Sequence, residues 1–453
     1  MLSNRVVVIG TGPSALACCS ELISHGIKPL VIDASGQHEI DENSDQIIHE
    51  KRLKTYGLDY TTYSQPKAAK LIYDTKLSVR QTFSFGGFSR VWGATLDMDL
   101  EAYEEDVIDK VKELLGWNDY LELKENSGDK VSKFIDEINQ HKKHYTATRS
   151  RLAIKGVGDN SCKNSLSCFD KCPNSAIWFA GKLFEDLVTH KEVDYVGNLI
   201  LTQLQINSGQ LDLIFANGDS IRAQKVFLAL GPIGSAAVLV KSGLYDSLRL
   251  RDTHTVHTAL ISMRRITQTV QQNALSKIWI KSSNKNGDFY IQMHQHSQIH
   301  LERLIDKLPP CMKFKRLAKI LSRFVYPILI YSNEDVSGDI LISSDGNSIR
   351  IDPIFPSEKK KKIKLNIREI RKFFFSLGMY LPISKTEIGQ PGDGYHIGGS
   401  LRLGEHINSN GELISLSNVF VVDSSSLQQI PLGSVTPTIM ANSIRITKSA
   451  IGQ

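Results

Sequence analysis

Apolar positions along the chain fall into short runs of two periods, and the period changes at glycines. Val6-Val-Val-Ile9 is a continuous apolar run, the pattern of a strand buried on both faces. It ends in Gly10-Thr-Gly12-Pro-Ser-Ala15, continues as an apolar helical stretch, and returns to Val31-Ile-Asp33. This predicts a strand, a glycine turn, a helix and a second strand over residues 5–35. Residues 101–145 are charged, with Tyr103, Val107, Val111, Leu114 and Leu115 at helical spacing, which predicts a solvated helical insertion. Residues 195–230 alternate as a β-meander with Asn217-Gly218 as a hairpin turn. The last of these strands, Lys225 to Leu230, runs into Gly231-Pro-Ile-Gly234 and a helix that Gly243 stops. From 255 to 388, alternating runs at 288–293, 339–342 and 348–352 interleave with helical segments near 300–323 and 357–377. That mixture predicts an antiparallel sheet under covering helices. Residues 76–98 read as an irregular, glycine-bearing loop, and the tail 395–453 holds a buried strand at 418–423.

The chain has 453 residues, 41% hydrophobic and 23% charged, ordinary for a globular protein of two or three domains. A formal net charge of +6 is small for this length and does not call for nucleic acid. No apolar stretch of about 20 residues is present, so no spanning helix is expected. The first strand begins so early that a cleavable signal would remove the glycine turn, and a cytoplasmic location is expected. Cys18 and Cys19 are read as buried thiols, and Cys311 is isolated.

The glycine turn is the strongest chemical signal. Gly10 permits the tight turn, Gly12 lets the backbone approach a pyrophosphate, and Pro13 and Ser14 open a helix whose N-terminus favours an anion. Ala15 keeps that helix close to the sheet, and Asp33 can accept hydrogen bonds from an adenosine ribose while disfavouring a 2′-phosphate. Dinucleotide binding is therefore predicted. Cys162, Ser165, Cys168 and Cys172-Pro173 follow a ferredoxin-like spacing with serine at the second position. Three thiols and a serine are read as a loop of free cysteines, with no metal. His294 and His296 fall two apart on a predicted strand and so share a face. The basic segment 313–323 and the lysines 359–362 are read as solvated helix faces, with contact to an anionic membrane surface as the alternative.

Four segments in order resemble the glucose–methanol–choline family of FAD-dependent oxidoreductases, in a short form like its bacterial members. They are the N-terminal turn, Phe85-Gly-Gly-Phe-Ser-Arg-Val-Trp-Gly93, Ala229-Leu-Gly-Pro-Ile-Gly-Ser235, and the tail. The tail is the most specific: Tyr395-His-Ile-Gly-Gly-Ser400, Asn418-Val-Phe-Val-Val-Asp423, and Thr436-Pro-Thr-Ile-Met-Ala-Asn442.

The resemblance implies an α/β fold: a Rossmann-like FAD domain built from discontinuous segments, with an inserted α+β substrate domain. Its expected divisions are 1–100, 151–245 and 389–453 for FAD, 101–150 for the helical insertion, and 246–388 for substrate. Gly86, Gly87, Ser89, Trp92 and Gly93 would run along the cofactor, and Gly231 would form the second turn. Asp423 would sit by the pyrophosphate through its backbone N–H, or else cap the polar run after it. Thr436, Pro437 and Thr438 would reach the flavin ring. His396 matches the family's catalytic base, and the implied reaction is oxidation of a polar alcohol such as a sugar, polyol or biosynthetic intermediate. An electron acceptor completes it. Thr436 stands where the family carries asparagine or histidine, so a flavoprotein that has lost alcohol oxidation is the alternative. An NAD-dependent dehydrogenase is disfavoured because it has no need of the second turn or the closing tail.

Overall fold

The computed structural model describes residues 5–35, 71–73, 81–90, 92–96, 100–117, 130–141, 144–156, 158, 161–162, 172, 174–263, 275–283, 287–294, 305, 316, 320–345, 348–382 and 386–452. At its centre is a five-stranded, wholly parallel sheet. Val6–Ile9 lies between Leu30–Ile32 and Lys225–Leu228, with Asp194–Val196 and Val419–Val421 at the two edges. Alternation sends Val8, Val31, Phe227 and Phe420 to one face and Val7, Ile32, Leu228 and Val421 to the other, so each strand feeds two cores. Helices Pro13–Ser24 and Thr436–Ile451 cover the first face and are tied by Ser443 Oγ, which donates to the Ser14 carbonyl at 2.7 Å. Cys18 and Cys19 are buried there, and burial pushes the Cys18 thiol up to about 12. Helix Gly231–Lys241 covers the other face. The sheet is thus the doubly covered α/β element expected from the sequence, assembled from five separated segments.

A three-stranded meander (Leu201–Asn207, Gln210–Phe215, Ser220–Ala223) packs on the second core. The flanking strands 194–196 and 225–228 belong to the parallel sheet instead, which narrows the meander expected over 195–230. A second five-stranded sheet orders Ile397–Gly398, Ser247–Asp252, Asp339–Ser344, Ile349–Ile354 and Leu71–Tyr73. Leu248, Leu250, Ile340 and Ile342 place it on the second core of the parallel sheet, although most of its strands come from the segment 246–388 expected to bind substrate.

The third sheet has seven strands, antiparallel throughout: Met379–Tyr380, Thr255–Ser262, Val325–Ser332, Phe289–His294, Ser276–Ser282 and Tyr145–Arg149 in order, with Glu387–Ile388 also on Thr255–Ser262. One face is covered by helices Lys130–His141 and Ser357–Ser376, through Phe134, Ile138, Ile363, Ile367, Ile370 and Phe374. This is the antiparallel layer with covering helices that 255–388 predicted. Most of segment 300–323 lies outside the described residues, and its end forms a short turn at Ser322–Phe324.

Helix Glu105–Leu115 buries Val107, Val111 and Leu115 against the first core of the parallel sheet, while Lys130–His141 and Tyr145–Arg149 join the seven-stranded sheet. An apolar stripe on a charged helix needs a partner surface, and here two different cores supply it. No described helix is long and apolar enough to cross a membrane.

Candidate active site

The parallel register sets Ile32, Ile9, Leu228 and Val421 side by side at the C-terminal edge of the sheet. The residues just beyond them therefore form a row: Asp33, Gly10, the Ala229–Gly231 turn and Asp423. A crevice outside the carboxyl ends of parallel strands is where such sheets bind dinucleotides. Gly10 has φ +112°, and a Cβ added there would lie 2.4 Å from the Ala229 carbonyl oxygen. The first turn is glycine because the second turn touches it. At Gly12, by contrast, an added Cβ would meet no atom within 4 Å, and this open position sits at the N-terminus of helix Pro13–Ser24. At Gly231 it would likewise meet nothing within 4 Å.

The Phe85–Gly93 loop closes over the first turn. A Cβ on Gly87 would be 3.2 Å from the Gly12 Cα, and Gly86 N–H donates to Thr11 Oγ1 at 2.9 Å. Thr11 Oγ1 in turn donates to Asp33 at 2.9 Å. Thr11 occupies a variable slot of the glycine pattern, and nothing in the sequence singled it out. It links turn, loop and carboxylate. Asp33 also accepts from the Ser35 N–H at 2.8 Å and from the Ser35 hydroxyl. Ser89 and Trp92, expected along the cofactor, each brace neighbouring chain. Ser89 Oγ donates to the Gly86 carbonyl and accepts the Ala180 N–H at 3.1 Å, capping helix Ala180–Thr189. Trp92 Nε1 donates to the Trp178 carbonyl at 2.9 Å, with its ring edge-on to Trp178. At Gly93 an added Cβ would make only ordinary contact, 3.6 Å from Thr95 Oγ1, so the protein itself does not require glycine there.

The tail is woven into this row. Asp423 accepts the Ser425 N–H at 2.8 Å and the Ser235 hydroxyl, capping the short turn Ser424–Ser426. Burial raises its carboxyl above the usual range. The capping role weighed from the sequence is one that the carboxylate performs. Gly399 N–H and Leu401 N–H donate to the Ser424 and Ser425 carbonyls at 2.8 and 2.9 Å, fastening the His396–Ser400 run to the same turn. A Cβ on Gly398 would strike the Ser424 carbonyl oxygen at 2.4 Å, which explains a glycine beside the histidine.

The face of the seven-stranded sheet away from its helices is aromatic. Trp279, Tyr290, Leu329 and Tyr331 form it, with Tyr395 and Leu432 packed against it. Strand pairing sets Trp279 opposite Gln292 and Tyr290 opposite Tyr331. His396 lies flat on Tyr331, with centroids 4.9 Å apart and rings 4° from parallel, and its carbonyl accepts the Thr253 N–H at 3.0 Å. Its Nδ1 is buried without a hydrogen-bond partner, as is Trp279 Nε1. Burial lowers the His396 imidazole to about 4, so it is uncharged through the neutral range. Leu432 leads from this face into Thr436, Pro437 and Thr438, which open helix Thr436–Ile451. Thr438 Oγ1 is buried and has no partner.

His294 alternates with Tyr290 and Gln292 and therefore shares the aromatic face, where burial lowers it to about 4. Its companion His296 lies outside the described residues, as do Ser165, Cys168, Pro173 and Cys311. Cys162 and Cys172 are half-buried against the first core of the parallel sheet. No group of three or more metal-ligating side chains occurs among the described residues. The aromatic wall was not anticipated beyond Gln292 and the two histidines, and its only sequence trace is the alternation through 289–294.

His254 is a different kind of histidine. It is buried beside Phe355, neither ring nitrogen has a partner, and burial lowers it to about 4. A pKa below the unfolded value means the unfolded chain takes up the proton first as pH falls. Stability should therefore be lost between about pH 6.5 and about pH 4. Urea unfolding at about pH 7 and about pH 5 checks this: His254→Leu should lose less stability than wild type across that interval. Equal losses would show that His254 is not the group responsible.

No family model matches the chain, and no curated protein matches it in sequence. Solved structures do share its fold. Pyridoxine 4-oxidase from Mesorbium loti superposes with TM-score 0.65 at 12% identity, covering 100% of both chains. Formate oxidase from Aspergillus oryzae RIB40, in a structure concerned with its FAD modification, superposes with TM-score 0.62 at 10% identity, covering 99% of this chain and 98% of its own.

Proposed function

We propose that this protein is an FAD-dependent oxidoreductase of the glucose–methanol–choline type, oxidising the CH–OH group of a small polar alcohol with His396 as base. The observation that carries the reading is His396 itself: a neutral imidazole with an unpartnered Nδ1, held where the aromatic sheet face meets the dinucleotide row. The full-length fold likeness to two oxidases, one described for its FAD modification, supports the cofactor class.

The residues present fit FAD. The open position over Gly12 at a helix N-terminus suits a pyrophosphate, Asp33 suits a ribose, and main-chain groups of Gly231 and Asp423 suit the far phosphate. Gly86 and Gly87 lie beside the first turn, and Thr436–Thr438, a second helix start, would hold the flavin ring. When bound, the flavin supplies the hydride acceptor for the carbinol carbon. His396 takes the hydroxyl proton, which leaves the carbonyl product. Trp279 and Gln292 offer donors from the sheet, and the Thr436 hydroxyl can hold the alcohol oxygen in place of the family's asparagine or histidine. The aromatic wall excludes water and suits a ring-shaped body, such as a sugar or a cyclic intermediate.

Purified protein should show flavin absorbance, and an anaerobic screen of alcohols should bleach it. Colourless protein that takes up no added FAD would sink the cofactor reading. Yellow protein that no alcohol bleaches would favour a flavoprotein that has lost the reaction, with Thr436 as the altered position.

A further inference from the structure

Thr11 is 1% exposed and stands where three separated pieces of chain meet. Its Oγ1 accepts the Gly86 N–H and donates to Asp33, each at 2.9 Å. One hydroxyl thus joins the first glycine turn, the Phe85–Gly93 loop and the residue that follows strand Leu30–Ile32. Among short side chains a hydroxyl is the group that accepts and donates at once.

At this point the loop is held by its backbone. Gly86 and Gly87 have no side chains and take φ +80° and +60°, and Phe88, which follows them, is 38% exposed. A second hold on Gly86 comes from Ser89, whose Oγ donates to the Gly86 carbonyl and accepts the Ala180 N–H at 3.1 Å. Donors therefore run in one direction, from the start of helix Ala180–Thr189 through Ser89, Gly86 and Thr11 to Asp33. The last bond ends on a carboxylate, the stronger kind of acceptor. A second route joins the same two ends. The Tyr195 ring meets Phe85 edge-on at 5.7 Å, its hydroxyl donates to the Ser35 carbonyl at 3.2 Å, and the Ser35 N–H donates to Asp33 at 2.8 Å.

We propose, on the reading of this protein as an FAD enzyme, that Thr11 is a positioning residue for the dinucleotide. Its hydroxyl holds the Asp33 carboxylate and the Gly86–Gly87 backbone as one unit beside the open position over Gly12, and retention of bound FAD depends on that hold. Gly87 lies close enough to Gly12 that an added Cβ would be 3.2 Å from the Gly12 Cα, so a loop that lifts from Thr11 also lifts from the phosphate position. The strand before Thr11 and the helix after it are secured by their own ladders and by the first core. Losing the hydroxyl therefore falls on the loop and its ligand, and the fold remains.

The test follows release of FAD from the full-length holoprotein on dilution, by the rise in flavin fluorescence. Thr11→Val keeps the shape but leaves the Gly86 N–H without its acceptor, so release should quicken about tenfold to a hundredfold while the circular dichroism stays that of the wild type. Thr11→Ala also lacks the hydroxyl and should match it, which carries the test should the valine variant not fold. Thr11→Ser keeps the hydroxyl and should release FAD at nearly the wild-type rate. Ser89→Ala frees the same glycine from its second hold, so combining it with Thr11→Val should quicken release by less than the product of the two single effects. Wild-type retention by both variants lacking the hydroxyl would overturn the proposal and leave the FAD reading standing. So would a serine variant as leaky as the valine one, or effects of Thr11→Val and Ser89→Ala that simply multiply. A wild type that binds no FAD would overturn both.

Discussion

His396→Ala should bind FAD as the wild type does and slow anaerobic flavin reduction by on the order of 10²–10⁴, the usual worth of a positioned base. The fold should survive, because the loop is held through the main chain of His396 and its glycine neighbours rather than through the ring. The pH profile gives a second readout. A base lowered to about 4 stays deprotonated, so wild-type reduction should be flat through the neutral range and fall only as pH approaches that value. A decline centred near about 6.5 would indicate an ordinary, solvated imidazole. Thr436→Ala should cost far less, about tenfold, since a neutral hydroxyl contributes one hydrogen bond of ~1 kcal/mol. If His396→Ala reduced at the wild-type rate, the base would have to be sought at His294 or His296.

Gly12→Val and Gly10→Val should fail in different ways. At Gly12 the added atoms would enter space empty of protein, so the chain should fold and sediment normally yet bind no FAD, because the valine occupies the pyrophosphate's place. At Gly10 a Cβ would lie 2.4 Å from the Ala229 oxygen on a backbone with φ +112°, so that variant should be insoluble or strongly destabilised. Absorbance of the bound flavin and a thermal melt separate the two outcomes. Stoichiometric FAD in Gly12→Val would mean that the turn is not the site. Asp33 marks the weaker end of the same row. Its carboxylate already serves Thr11 and Ser35, so it braces the loop.

The features legible in the sequence are those in which one local stretch carries the whole constraint. Buried parallel strands are unbroken apolar runs, and the turn between Val6–Ile9 and Pro13–Ser24 needs glycine at fixed places, so both could be read before any packing was known. The aromatic wall could not. Trp279, Tyr290 and Tyr331 come from three strands and meet only through register, and His396 reaches them from the tail. Helix Glu105–Leu115 misled for a related reason: its stripe of Val107, Val111 and Leu115 announces that something covers it without saying what. Ser89 and Trp92 occur in a recognisable motif, but whether a hydroxyl or an indole faces a cofactor or a neighbouring helix depends on Ala180 and Trp178, far along the chain.

The tie between Ser14 and Ser443 joins residues 429 positions apart. A ribosome adding about 5–20 residues each second needs roughly 20–90 s to travel that distance. Throughout that interval helix Pro13–Ser24 has been made but its partner helix has not, and Val419–Val421 has yet to close the edge of the parallel sheet. The nascent chain therefore carries an uncovered apolar helix face that a chaperone could shield. The row at the C-terminal edge of the parallel sheet, which Asp423 completes, comes into being only after the tail has docked.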